Sequence, residues 1–161
     1  VYAYSYKHYK TWSDKLDKDY QDFGLVGENL TIDDFNEKQI NIGDELQIGN
    51  CIFQVSQPRI PCFKIGIKMN SREFPKMFSQ SCLLGAYLRV IKDGTISTND
   101  EIIISKKEPN SLSIYQIAEL IFKDINNIDK MKHALDLKYL TEEIKERFRE
   151  RLMKLGDFGS L

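Results

Sequence analysis

The spacing of apolar residues changes at Glu108-Pro109-Asn110, and the folds open to this chain must contain both patterns. Upstream, the runs Ile40–Ile48, Cys51–Val55 and Gly85–Ile91 alternate apolar and polar side chains, the pattern of half-buried strands. Gly49-Asn50 and Asp93-Gly94 punctuate these runs with residues suited to hairpin turns, and Gly43-Asp44 reads as another tight turn. Ile96 to Ile104 continues the strand pattern, and Phe74, Met77 and Phe78 share a helical face. Downstream the period becomes helical. Ser113 with Gln116 forms a capping-box signature ahead of Ile114, Ile117, Ala118, Ile121 and Ile125. A second short helix holds Met131, Ala134 and Leu135. Thr141 is placed to cap a third, with Glu142 and Glu143 in its first turn, Ile144, Phe148, Leu152 and Leu155 on its apolar face, and Gly156 at its end. The expectation is a mainly β part over residues 1–108, its strands over about 20–108, and a three-helix module and tail over 109–161.

The segment Val1 to Trp12 predicts a short strand followed by a helix, with Tyr6, Tyr9 and Leu16 near helical spacing. Those tyrosines either pack a core or line a pocket. His8 reads as a surface or hydrogen-bonded residue, because a metal site needs several converging groups. A structured segment that opens at Val1 without a cap leads us to expect a further N-terminal piece.

Charge and composition narrow the function classes. Hydrophobic residues make up 42% and charged residues 29% of 161, ordinary values for a globular domain. A net charge of −1 argues against nucleic acid or an anionic membrane as partner. No apolar run approaches the roughly 18 residues of a membrane span, and no signal peptide is visible. The three cysteines, Cys51, Cys62 and Cys82, lack metal-type spacing. An odd number without a framework fits a reducing cytoplasm and predicts no disulfide.

The strand Cys51–Val55 runs into Ser56-Gln57-Pro58-Arg59-Ile60-Pro61-Cys62-Phe63-Lys64. Each proline lacks an N–H and fixes φ, and the residue before each is pushed toward extended geometry. The result is a stiff loop with Cys62 near its tip and Arg59 and Lys64 within three residues of the sulfur. Nearby cations favour thiolate, which is both a nucleophile and a soft metal ligand. A soft sulfur beside two anion-binding cations suits a soft metal in an anionic cofactor. The competing reading makes Cys62 a small buried hydrophobe. Cys51 shares a strand face with Phe53 and Val55 and reads as core. In Gly24–Thr31, Glu28 and Asn29 sit between apolar neighbours, where they either orient a cofactor or substrate or stabilise a turn. Arg89 is either a ligand clamp or a residue on a solvated strand face. His133 has no evident chemistry.

Four stretches together resemble a known family: Gly27-Glu28-Asn29-Leu30, Ile42-Gly43-Asp44, Ser56 to Lys64, and Gly85-Ala86-Tyr87-Leu88-Arg89-Val90. They resemble the MOSC domain, named for the C-terminal domain of molybdenum cofactor sulfurase. Their spacing is similar to the bacterial YiiM-like branch, associated with resistance to 6-N-hydroxylaminopurine, whose C-terminal three-helix module residues 109–156 resemble. The resemblance implies an antiparallel β-barrel that binds the molybdenum cofactor (molybdopterin), with Cys62 in the position of the metal ligand; pyridoxal phosphate is not expected. It implies an oxidoreductase that reduces N-hydroxylated bases and related compounds with electrons from a flavin or iron–sulfur donor protein, and it is compatible with a homodimer. Arg59, Lys64 and Arg89 become candidates to hold the pterin phosphate, and Glu28 and Asn29 candidates to orient groups at the site. The sequence departs from the family in not including the glycine- and histidine-containing region usual upstream of Tyr2, so the barrel of this chain alone can be incomplete.

Two other functions suit the same residues. Cys62 could carry a persulfide and deliver sulfur to metal–sulfur cluster assembly. Alternatively, the chain could be a non-catalytic binding module that recruits a partner through its helices. Metal content separates the first reading from both, and sulfane sulfur on Cys62 separates these two.

Overall fold

A computed structural model describes residues 1–20 and 22–157. Six strands form one sheet: β1 (Tyr2–Ser5), β2 (Leu30–Ile32), β3 (Glu45–Ile48), β4 (Cys51–Pro58), β5 (Ala86–Lys92) and β6 (Ile102–Lys106). Their spatial order is β2-β1-β5-β4-β3-β6. The β1–β2 pair is parallel and the other pairs are antiparallel. The sheet curls into a half-barrel whose end strands are β2 and β6. The barrel wall expected from the family is therefore present with two unjoined edges among the described residues.

Six helices accompany the sheet. They are α1 (Lys7–Leu16), α2 (Phe63–Lys68), α3 (Phe74–Ser81), α4 (Ile114–Phe122), α5 (Ile128–Asp136) and α6 (Glu142–Lys154). The strand-then-helix reading of the N-terminus holds, and β1 lies inside the sheet between β2 and β5. Its alternation divides the interior. Ala3 joins a core built from β3, β4, β5 and the three C-terminal helices, whereas Tyr2 and Tyr4 join a second core with Tyr9, Trp12, Phe74 and Phe78. In that second core Trp12 packs edge-on to Phe74 at 5.0 Å, and its indole N–H donates to the Tyr4 hydroxyl at 2.6 Å. Burial on both faces is what keeps all four residues of β1 inside.

The Gly49-Asn50 turn joins β3 to β4 in register from Glu45↔Gln54 to Ile48↔Cys51. Asp93-Gly94, by contrast, does not close a β5–β6 hairpin. Strand β5 is already flanked by β4 and β1, so β6 pairs with β3. The connecting loop packs on the first hairpin instead, where the Asn50 N–H donates to the Thr95 carbonyl at 3.2 Å.

The helical module follows its caps. Ser113 and Gln116 make the reciprocal capping box. Ile125 lies beyond the end of α4 and is exposed, and Leu155 lies beyond α6 and is also exposed, so neither continues its apolar stripe. Thr141 is the residue before α6, but its hydroxyl does not cap the helix; it donates to Oε1 of Gln57 on β4. Arg151 of α6 donates to the carbonyls of Leu120 and Ile121 at 2.6 and 3.3 Å, satisfying acceptors at the end of α4 that have no partner within the helix. The module thus shares one apolar core with the sheet: Val55 and Leu88 contribute to it alongside Ile117, Ile144 and Phe148.

Candidate functional site

Near its end, β4 shifts register against β5 between Val55 and Gln57, and the Ser56 hydroxyl donates to the Tyr87 carbonyl at 2.8 Å. Such a bulge turns a strand and re-aims the residues that follow. Pro58 is the last strand residue, and Arg59 to Pro61 cross to α2 without regular structure. Cys62 precedes the first helical residue with φ −118° and ψ 171°, an extended conformation. It is exposed, which decides against the reading of a buried hydrophobe. The α2 helix itself was not legible, being only six residues long with Gly66 inside it.

Arg59 turns back over the loop 24–29. Its guanidinium lies 4.7 Å from the Tyr2 ring centre and donates to the Val26 carbonyl. Gly27 has φ +87°, and a Cβ there would stand 3.5 Å from the Arg59 Nη1, so glycine brings this loop close to the cation. The Tyr2 hydroxyl donates to Leu84 at 2.7 Å, fixing the ring under Arg59.

Glu28 holds the same loop from inside. Its carboxylate accepts from the Tyr9 hydroxyl, from the Val26 N–H at 3.0 Å and from the Thr31 hydroxyl at 3.2 Å. The Tyr9 oxygen in turn accepts the Leu25 N–H at 3.0 Å. Burial, followed by the bond to Glu28, raises the Tyr9 pKa. Asn29 is paired with Tyr2 in both directions: its Oδ1 accepts the Tyr2 N–H and its own N–H donates to the Tyr2 carbonyl, both at 2.8 Å. Asn29 therefore joins the loop to β1 and does not fold back on its own backbone.

The other candidates lie elsewhere. Arg89 donates to the Tyr139 carbonyl at 2.9 Å, binding β5 to the α5–α6 connection. Lys64 projects from the exposed surface of α2. His8 Nε2 lies 3.0 Å from both oxygens of buried Glu37, whose Oε1 also accepts the Gly85 N–H at 3.1 Å. His133 Nε2 lies 2.8 Å from the Asn110 carbonyl. The structure thus brings Arg59, which precedes Cys62 by three residues, together with Glu28 and Asn29 around the loop 24–29, and commits Arg89 to the helical module. Sequence reasoning missed Tyr2 and Tyr9 as the partners of Arg59 and Glu28. The available signal was the carboxylate between apolar neighbours, which requires a donor.

All three cysteines are free. Cys51 is buried with Phe53 and Val55, as its alternation predicted. Cys82 is fully buried, and burial pushes its thiol up to about 11. Cys62 alone presents a sulfur that a ligand from solvent can reach. Among the described residues, no three His, Cys, Asp or Glu side chains converge on a metal position. A metal held at Cys62 would therefore have one protein ligand and would bring its others with it. The donor set fits a metal already chelated in a cofactor.

Residues 1–103 match the family model of the MOSC domain. The chain belongs to the MOSC domain family. A relative by sequence is the uncharacterized protein YflK of Bacillus subtilis, 26% identical over 155 residues, spanning 96% of this chain and 70% of YflK. A protein of Gibberella moniliformis named reductase is 28% identical over 124 residues, spanning 75% of this chain but only 22% of its own length. Among solved structures, YiiM from Geobacillus stearothermophilus superposes with a TM-score of 0.89 at 29% identity, over 94% of this chain and 77% of that one. The family model ends at residue 103, and the superposition on this YiiM structure, over 94% of the chain, also takes in the C-terminal helices. No helix among the described residues is long and apolar enough to cross a membrane.

Proposed function

We propose that this MOSC protein binds the molybdenum cofactor through Cys62 and reduces N-hydroxylated bases and related compounds. The observation that carries the reading is the exposed Cys62 thiol at the end of a proline-stiffened loop, the accessible one of three cysteines. When bound, the cofactor would supply a two-electron redox centre and an oxygen acceptor. Cys62 is the proposed thiolate ligand, a soft donor suited to a soft metal. Arg59, held over Tyr2 with no carboxylate partner among the described residues, and Lys64 supply positive charge for the pterin phosphate. Glu28 and Asn29 act indirectly, by fixing the loop against which the Arg59 guanidinium rests. Arg89 acts further off, by fastening the helical module to β5.

The net reaction consumes two electrons and two protons for each N–OH group, leaving the N–H amine and water. The YiiM-like branch and the relative named reductase support this reading. The test is a turnover assay with protein from a molybdenum-cofactor-competent host, 6-N-hydroxylaminopurine and a chemically reduced viologen. Formation of adenine in proportion to bound molybdenum is the expected result. Molybdenum-loaded protein that forms none would contradict the proposal.

A further inference from the structure

Helix α2, whose Lys64 is assigned to the pterin phosphate, also carries an exposed apolar face that the cofactor reading does not use. Phe63 and Ile67 are each 71% exposed, and a separation of four residues puts them on one face. They border a groove of about 480 Å³ lined also by Gly66, Asn70, Ser71, Arg72 and Pro75. Lys64 and Lys68 follow the same four-residue spacing beside the apolar pair. The Lys68 ammonium donates to the Gly24 carbonyl, which anchors it in place. Among the described residues, Lys68 and Arg72 enter no ion pair. Beyond Arg59 and Lys64, which the pterin phosphate would take, the chain from Ile65 to Lys76 places three cations against the single Glu73, in a protein whose net charge is −1.

We infer that this face docks an acidic electron-carrier protein, which would supply the two electrons consumed per N–OH group; the inference rests on the reductase reading. Two bare apolar side chains beside Lys68 and Arg72 match the apolar core and polar rim of a protein interface. The local excess of positive charge selects a partner of opposite sign and would speed encounter at low salt. Weak redox complexes need little area, so one short helix and its groove suffice. The groove also favours a protein over a bilayer, because it accepts a protruding side chain, whereas α2 is only six residues long and offers two apolar groups for insertion. Phe63 adjoins Cys62 in the chain, so a carrier seated here would lie against the proposed site.

The test uses molybdenum-loaded protein and a small acidic flavodoxin as probe, with the double variant Ile67→Glu, Arg72→Glu. Calorimetric titration should show binding by the wild type that weakens on raising salt from 50 to 500 mM. The variant should bind at least tenfold more weakly and lose flavodoxin-driven turnover in proportion, while keeping viologen-driven turnover. Equal flavodoxin affinity in the two proteins would overturn the inference. So would a wild type that binds phosphatidylserine vesicles and ignores flavodoxin. A wild type that binds flavodoxin through this face yet reduces nothing from viologen would support the docking surface and reject the reductase reading.

Discussion

The sulfurs of Cys51 and Cys62 lie eleven residues apart in the chain and in opposite surroundings. Cys51 points into the core with Phe53 and Val55, and Cys62 stands in solvent ahead of α2. Replacing Cys51 by serine buries a hydroxyl among apolar groups, which costs roughly 1–3 kcal/mol where no partner is found. The same change at Cys62 falls in the near-neutral surface range, within about 1 kcal/mol. Urea unfolding of both variants should therefore show a lowered midpoint for Cys51→Ser and an almost unchanged one for Cys62→Ser. The opposite order would mean that the core and surface cysteines have been exchanged. This contrast was readable in the sequence, because alternation assigned Cys51 to a face and two prolines removed Cys62 from the ladder. The roles of Glu28 and Asn29 were not readable. Their partners, Tyr9 and Tyr2, lie 19 and 27 residues away, and no local pattern reports that distance.

At the scale of elements, local chemistry reported ends and periods but not neighbours. The capping box at Ser113 is an example of what it reports: the Gln116 N–H donates to the Ser113 hydroxyl at 3.1 Å, and the Ser113 N–H donates to the Gln116 side chain at 2.9 Å. Ser113→Ala removes the first of these and should lower stability by about 1 kcal/mol. The measurement is the shift in urea midpoint at constant slope, and no shift would show that the module tolerates the uncapped N–H. Strand β6 shows what local chemistry omits. Its pattern marked a strand, yet its partner is decided by which edge the curled sheet leaves open, and that edge belongs to β3. Likewise α2 escaped notice because Lys64, Gly66 and Lys68 interrupt its short apolar stripe.

For the whole molecule, β1 is the divider: Ala3 faces the core shared with the helical module, and Tyr2 and Tyr4 face the aromatic core of α1 and α3. Burial raises the phenol pKa of Tyr2 and of Tyr4 well above the usual value, and that of Tyr9 is raised as well. The folded state therefore keeps phenol protons that the unfolded chain releases above about pH 10. Stability from this source is fully present below that pH and is lost as pH rises past it. Thermal midpoints should fall steeply above about pH 10, and a flat profile to pH 11.5 would contradict the buried placement of these rings. The division into two cores was not legible, since a strand buried on both faces shows no alternation and Tyr-Ala-Tyr carries polar atoms on one of them. Molybdenum-edge X-ray absorption on the wild type and Cys62→Ser from a cofactor-competent host tests most directly the proposal that the Cys62 sulfur binds molybdenum. One fewer sulfur around molybdenum in the variant is the expected result. An unchanged sulfur shell, or a wild type that takes up no molybdenum, would contradict it.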